Sequence, residues 1–281
     1  MSANDVEQVE AITDPAARAR AATQLLSKHQ EIVTKLARIR RRAINDLRAQ
    51  GLSHAQVGSA LGLTRGRIAQ LHTAGHAIEQ DFFGGTSITI TTPLRAAAGV
   101  DRPLVAQEDA EAAALLARLL DSLDIDTSSA NVSPAGEIDL TPDGLIAICG
   151  PKSSPTMREI IATDPVLDYS PDPAGRWRLV DRTSGAEYTS PIDDGIEARS
   201  DIAYLARLHR PDGRPFLVIA GVHAIGSLGA VAYLSNTDRI RSLHIAVGGR
   251  AFSMVIGCSF TRTPLKILSA EALSEPRAHA G

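Results

Sequence analysis

Residues 53–72 read SHAQVGSALGLTRGRIAQLH, and this stretch decides the fold of the first part of the chain. Its pattern predicts a helix over 54–61, a tight turn at Gly62 and a second helix over 64–71. Glycine can adopt the positive φ that such a turn needs, and Gly58 is small enough to let the two helices cross closely. Ser53 and Thr64 stand where they can cap the helices. The apolar residues expected between the helices are Val57, Leu61, Leu63, Ile68 and Leu71.

This stretch resembles the DNA-binding helix-turn-helix of bacterial transcriptional regulators, particularly that of sigma-factor region 4. The resemblance is close over the quoted residues and looser over 28–72. It implies that the second helix enters the major groove, where Arg65, Arg67 and Gln70 read base edges and Thr64 lies near phosphates. Arg can bind guanine and Gln can bind adenine through two hydrogen bonds each. The chain lacks the promoter-melting region of a full sigma factor, so we do not expect initiation activity from it alone.

The charge distribution supports a nucleic-acid surface in the same region. Between Lys28 and His72, nine Lys and Arg residues against two Asp and Glu residues give a formal charge of about +7, whereas the whole chain carries −3. A long helix is expected here, after an earlier helix that begins at Asp14-Pro15 and before a stop at Gly51. Its apolar stripe is Ile32, Leu36, Ile39, Ala43 and Leu47. The phosphate contacts are expected from Arg38, Arg40, Arg41 and Arg42.

The pattern of residues changes near Phe83, from helical periodicity to an alternation over residues 86–92 that is typical of a strand. We therefore expect two domains: an all-α helix-turn-helix domain over 1–82 and an α/β domain over 83–281. A helix is expected over 106–123, and the polar stretch 126–144 is expected to be a loop.

Buried strands are expected over 145–149, 177–180, 202–208, 216–220 and 252–258, with helices over 157–162 and 229–234. This alternation favours a mainly parallel, Rossmann-like sheet, although residues 177–188 could instead form a hairpin.

Two loops follow strand-like runs and open helices, at 150–156 and 221–229. In a parallel sheet such loops lie at the carboxyl edge, where ligands bind. A small anionic or nucleotide ligand would suit the polar groups there. The expected ligand-binding residues are Gly150, Lys152, Ser153, Ser154, Thr156, His223, Gly226 and Ser227.

Motifs for catalysis are missing from the sequence. No Cys and His spacing indicates a metal site, no nucleophile elbow occurs, and Cys149 and Cys258 lie in apolar runs typical of buried thiols. We therefore expect a regulator without catalytic residues, metal or cofactor. The alternatives are a nucleotide-processing enzyme or a non-catalytic interaction adaptor, each carrying the helix-turn-helix.

The expected partners are double-stranded DNA, the small ligand and a second copy of the chain, since one recognition helix reads only a few base pairs. The first ten residues lack the pattern of a signal peptide, and the two cysteines do not form a disulfide framework, so we expect a cytoplasmic protein. Residues 216–234 carry no charge, but their glycines and His223 favour strand, loop and helix over a membrane span.

Overall fold

The computed structural model describes residues 3–73, 77–96, 102–195 and 198–280, and the chain divides into the units Met1–Gly75 and His76–Gly281. The helices are α1 Ala3–Glu10, α2 Pro15–Ala49, α3 His54–Leu61, α4 Arg65–Thr73, α5 Ala77–Phe83, α6 Gln107–Ser122, α7 Pro155–Ala162, α8 Ala224–Leu234 and α9 Thr237–Val247. The strands are β1 Ser87–Pro93, β2 Asp126–Val132, β3 Leu145–Ala147, β4 Leu167–Pro171, β5 Trp177–Asp181, β6 Glu187–Thr189, β7 Ser200–His209, β8 Pro215–Gly221, β9 Phe252–Arg262, β10 Leu265–Ala272 and β11 Arg277–Ala278.

Helix α2 is a single helix of 35 residues. Asp14 caps its start and Pro15 is its first residue, as the sequence predicts. The expectation of two helices between Pro15 and Gly51 is wrong, because no glycine or proline interrupts the chain there. Gly51, with φ of 90°, follows the end of α2.

The predicted turn between α3 and α4 is confirmed. Ser53 and Gln56 form a reciprocal capping box at the start of α3, and Gly62 ends the helix with φ of 66°. The Thr64 hydroxyl accepts a hydrogen bond of 3.1 Å from the Arg67 amide at the start of α4. A Cβ atom on Gly58 would lie 2.6 Å from the Leu63 carbonyl oxygen, so this position has room only for glycine.

A small core holds α2, α3 and α4 together. Val57 and Ile68 are fully buried with Ile44 of α2, and Leu47, Leu52 and Leu63 are partly buried beside them. Leu61 is 42% exposed, contrary to expectation, because it is the last residue of α3. The side chain of Leu71 lies outside the described residues.

Most of the apolar stripe expected on α2 is exposed. Ile32, Leu36 and Ile39 are 44%, 60% and 63% exposed, whereas Ile44 has no exposed surface. Ile44, nearer the carboxyl end of α2, packs against Val57 of α3 and Ile68 of α4. The stripe therefore contributes to a core inside the first unit only near the end of α2.

The second unit is a mixed α/β structure around one large sheet with the order β10-β9-β7-β8-β3-β1-β2 and with β11 beside β9. Strands β2, β1, β3 and β8 are parallel neighbours. Strands β7, β9 and β10 each pair antiparallel with their neighbours. The expected parallel sheet is thus present on one side, and hairpins, which reverse chain direction without a crossover, extend it on the other.

Several elements depart from the expectation for the second unit. Residues 126–132, expected in a loop, form the edge strand β2, whose polar side chains are mostly exposed. Residues 177–188 do form a hairpin, and β4, β5 and β6 make a separate antiparallel sheet. Helix α9 and strands β4 and β10 were not anticipated.

Apolar residues fill both faces of the large sheet. On one face, residues of α6, α8 and α9 pack with Phe82 and Phe83 of α5. On the other, Met157, Ile160 and Ile161 of α7 pack with residues of β4 and β5. Helix α5 therefore belongs to the second unit, so the expected boundary at residue 83 lies one helix too late.

Two buried arginines, one on β7 and one directly after it, bind backbone carbonyls of other segments of this unit. The Arg207 guanidinium lies 5.2 Å from the ring centroid of Phe82 and donates to the Phe82 carbonyl. Arg210 donates to five backbone carbonyls, those of Leu140, Pro142, Asp143, Arg214 and Pro215. Arg210 thereby fastens the segment before β3 to the turn between β7 and β8.

Residues 216–234 form most of β8 and all of α8, as the glycine pattern predicts. Among the described residues, no helix combines the length and apolar character needed to cross a bilayer.

Candidate functional site

A cavity of about 370 Å³ opens at the carboxyl edge of the parallel strands. Strands β1, β3 and β8 are parallel neighbours, so the residues that follow them meet at one edge. We call this cavity the edge cavity. Its lining comes from the end of β1 and the residues after it (93–96), from the loop after β3 (148–150, 152 and 153), and from the end of β8 and the start of α8 (221–224 and 227). Asp109, Pro134 and Tyr169 complete its lining.

The two predicted ligand loops therefore meet in one place. Gly150, Lys152, Ser153, His223 and Ser227 line the edge cavity. Ser154, Thr156 and Gly226 do not belong to its lining. The Ser154 hydroxyl accepts from the Met157 amide at 3.2 Å and donates to the Gly136 carbonyl at 2.6 Å, so it caps α7.

The start of α8 already holds a carboxylate. The amides of His223 and Gly226 donate to Oδ2 of Asp201 at 3.1 and 2.8 Å, and the Ser190 hydroxyl donates to Oδ1 at 2.6 Å. Burial raises the pKa of Asp201, and these hydrogen bonds act against that rise. An external anion at these two amides would have to displace Asp201. Sequence reasoning missed Asp201 because it arrives from the start of β7, remote in sequence from α8.

Lys152 connects the two loops. Its ammonium donates to the Val222 carbonyl at 2.6 Å. Burial lowers the pKa of Lys152, and the carboxylates of Asp193 and Asp201 oppose that effect. Tyr169 of β4 also holds the second loop, since its hydroxyl donates to the Gly221 carbonyl at 2.8 Å.

An ion pair that the sequence did not predict lies on the other side of the cavity. Arg95 follows β1, and its Nη2 donates to Oδ2 of Asp109 in α6 at 3.0 Å. The Asp109 carboxylate is buried, whereas the Arg95 side chain is half exposed. Burial raises the pKa of Asp109, and Arg95 opposes it. No local pattern reveals this pair, because α6 and β1 approach only in three dimensions.

His223 has a carboxylate neighbour. Its Nε2 atom lies 2.9 Å from Oδ1 of Asp193, and both side chains are partly exposed. Such a contact can orient an imidazole for proton transfer. Cys149, in contrast, is no candidate nucleophile, because burial raises the pKa of its thiol to about 12. Cys258 is buried as well, and both cysteines are free.

A second cavity of about 250 Å³ adjoins the first and is called the side cavity. Arg95, His223 and Ala224 line both cavities. The rest of the side cavity is mainly apolar, with Ile192, Ile225, Phe260 and Leu265. Glu108 and Arg262 are its further charged lining residues. The Arg262 guanidinium stacks 5.4 Å from the centroid of the Phe260 ring.

Ser253, His279 and Asp164 lie together elsewhere in the second unit but do not form a catalytic triad. Ser253 Oγ and Asp164 Oδ1 both approach the same atom, Nε2 of His279, at 3.2 and 3.3 Å. A triad needs the carboxylate on the opposite ring nitrogen. Asp164 and Ser253 are also buried, so we regard the cluster as structural. Within the described ranges, no group of three or more His, Cys, Asp and Glu side chains is placed to bind a metal ion.

In the first unit, the expected DNA-contacting residues that the structure describes are at the surface. Thr64, Arg65 and Arg67 at the start of α4 and Arg40 on α2 are exposed. The side chains of Arg38, Arg41, Arg42 and Gln70 lie outside the described residues.

Comparison with known proteins gives no relative for this chain. No protein-family model matches it, and searches of characterised proteins and of solved structures found no match.

Proposed function

We propose that the chain is a DNA-binding transcriptional regulator whose second unit senses a small ligand. The observation that carries the proposal is the capped helix pair α3 and α4, which turns at Gly62 and exposes Arg65 and Arg67 within the basic segment. A helix pair with a tight glycine turn and an arginine-bearing second helix suits insertion into the major groove. The expected location is the cytoplasm, where two buried unpaired thiols remain reduced.

The protein would bind DNA as a pair of identical chains. The exposed apolar side chains of Ile32, Val33, Leu36 and Ile39 on α2 support a second copy as the partner, because such a stripe is costly to leave in water. Leu36→Glu should then shift the sedimentation coefficient of a dimer to that of a monomer. A wild-type protein that sediments as a monomer at high concentration would contradict this arrangement.

The ligand-sensing part of the proposal draws support from the convergence of the two loops in the edge cavity beside Asp109. The same convergence argues against an adaptor with no ligand at all, since such a protein needs no charged cavity.

The test is selection of bound fragments from a genomic DNA pool by the full-length protein at moderate salt, followed by sequencing. We expect an enriched sequence motif that Arg65→Ala and Arg67→Ala abolish, at a cost of about 1–3 kcal/mol for each base contact. Arg40→Ala is the matched control, because it should weaken binding to DNA of every sequence by a similar factor and reduce the salt dependence of binding. Equal effects of all three substitutions would contradict the assignment of α4 as the reading helix.

A nucleotide-processing enzyme is the second candidate, favoured by the His223–Asp193 contact at the cavity wall. Phosphate or base release from nucleotides by the wild-type protein, lost in His223→Gln, would establish it. Absence of turnover by the wild-type protein would contradict the enzyme and leave the regulator as the proposed function.

A further inference from the structure

We propose that the edge cavity and the side cavity form one nucleotide site, with the phosphate in the edge cavity and the base in the side cavity. This inference deepens the proposed function, because it names the ligand class of the sensing unit.

The two cavities are immediate neighbours. They share Arg95, His223 and Ala224 as a common wall, and their volumes are about 370 and 250 Å³. Small-molecule sites usually occupy roughly 300–1,000 Å³. A ligand that occupied both cavities would therefore lie beside Arg95.

The edge cavity offers two cationic side chains to a phosphate. Arg95 and Lys152 line it, and Ser153 adds a hydroxyl. The described carboxylates nearby already have partners in the protein, since Asp109 is paired with Arg95, Asp193 contacts His223, and Asp201 accepts from the amides at the start of α8. Charge-assisted hydrogen bonds from a guanidinium and an ammonium are the usual means of holding a phosphate.

The side cavity suits a flat heterocycle. Ile192, Ile225 and Leu265 supply an apolar lining, and Arg262 presents a planar guanidinium stacked on Phe260. Guanidinium planes and apolar side chains are the surfaces on which bases stack. Glu108, on the same cavity wall, offers an acceptor for an exocyclic amino group.

The test is calorimetric titration of the full-length protein with ATP, ADP, AMP, adenosine and inorganic pyrophosphate. The variants are Lys152→Met at the phosphate end and Arg262→Ala at the base end. Lys266→Ala is the matched control, because Lys266 is exposed on the same hairpin and lines neither cavity.

We expect Lys152→Met to weaken the binding of both nucleotide and pyrophosphate by about tenfold or more, because the substitution removes one charge-assisted hydrogen bond. Arg262→Ala should weaken nucleotide binding by a similar factor and leave the affinity for pyrophosphate unchanged. Lys266→Ala should change neither affinity.

Nucleotide affinity that does not respond to Arg262→Ala would overturn the placement of the base, and failure of every nucleotide to bind would overturn the site. Either result is distinguishable from failure of the proposed function, because the DNA selection is carried out separately and without nucleotide.

Discussion

Asp164 shows how one residue can hold distant parts of the chain. Its carboxylate accepts hydrogen bonds from the Tyr204 hydroxyl at 2.6 Å and from the Val166 and Leu167 amides at 2.7 and 3.2 Å. Ser253 donates to the same carboxylate at 3.2 Å. Burial alone would raise the pKa of Asp164, but these hydrogen bonds and that from His279 outweigh it and hold the pKa below its ordinary value. A lowered carboxyl pKa means that the ionised form stabilises the fold.

We predict that this stabilisation depends on pH. It is fully present above the unfolded pKa of about 3.9 and is lost as the pH falls through the lower pKa of the folded state. Asp164→Asn should therefore lower the free energy of unfolding by about 2 kcal/mol or more at pH 7, and by progressively less as the pH falls below about 4 toward the lower pKa of the folded state. Thermal melting across this pH range measures the difference.

Asp194→Asn is the control for that experiment, since Asp194 is exposed and its contact with Arg176 is long, at 3.7 Å. It should change stability little at any pH. A penalty for Asp164→Asn that stays constant with pH would show that its effect is steric.

At the scale of elements, two glycines of the helix pair make a matched comparison. An added Cβ on Gly58 would meet the Leu63 carbonyl at 2.6 Å, whereas one on Gly66 would meet nothing within 4 Å. The first glycine is required by the close packing of α3 against the turn. The second occupies the exposed side of α4, where the structure of the free protein does not demand it.

We predict opposite effects for the two alanine substitutions. Gly58→Ala should destabilise the helix pair by about 1–3 kcal/mol through overpacking, and Gly66→Ala should stabilise it by up to about 1 kcal/mol through helix propensity. Hydrogen exchange of the amides over 54–73 in the full-length protein reads both changes. Equal protection in the two variants would mean that α3 and the turn do not pack as described.

These elements also show what the sequence can predict. The caps at Asp14, Ser53 and Thr64 and the turn at Gly62 depend on residues within one helical turn, so their patterns are local and were predicted correctly. The meeting of the two ligand loops followed from the geometry of parallel strands. Asp109 and Asp201 were not predicted, because each reaches its partner across the fold. Strand β2 was missed because a solvated edge strand needs no apolar alternation.

For the whole molecule, the boundary between the two units decides which fragment is stable. Phe82 of α5 is fully buried in the second unit, and Glu79 of α5 pairs with Arg241 of α9 at 2.7 Å. Arg207 also depends on α5, since it stacks on the Phe82 ring. A fragment that starts at residue 83 loses all three contacts.

We predict that fragment 76–281 unfolds cooperatively and exceeds fragment 83–281 in stability by roughly 3 kcal/mol or more, the usual cost of removing a buried phenylalanine. Urea unfolding of the two fragments measures this difference. Indistinguishable midpoints would place α5 outside the core of the second unit.

Arg210 has a consequence for natural variation. Its five carbonyl acceptors use the fan of N–H groups that only a guanidinium provides, so lysine cannot replace it without leaving acceptors unpaired. Selection would keep arginine at this position in diverging descendants even if their ligands changed. An invariant arginine 210 among relatives would thus mark an architectural constraint, whereas variation at Arg95, Lys152 and Arg262 would trace a change of ligand.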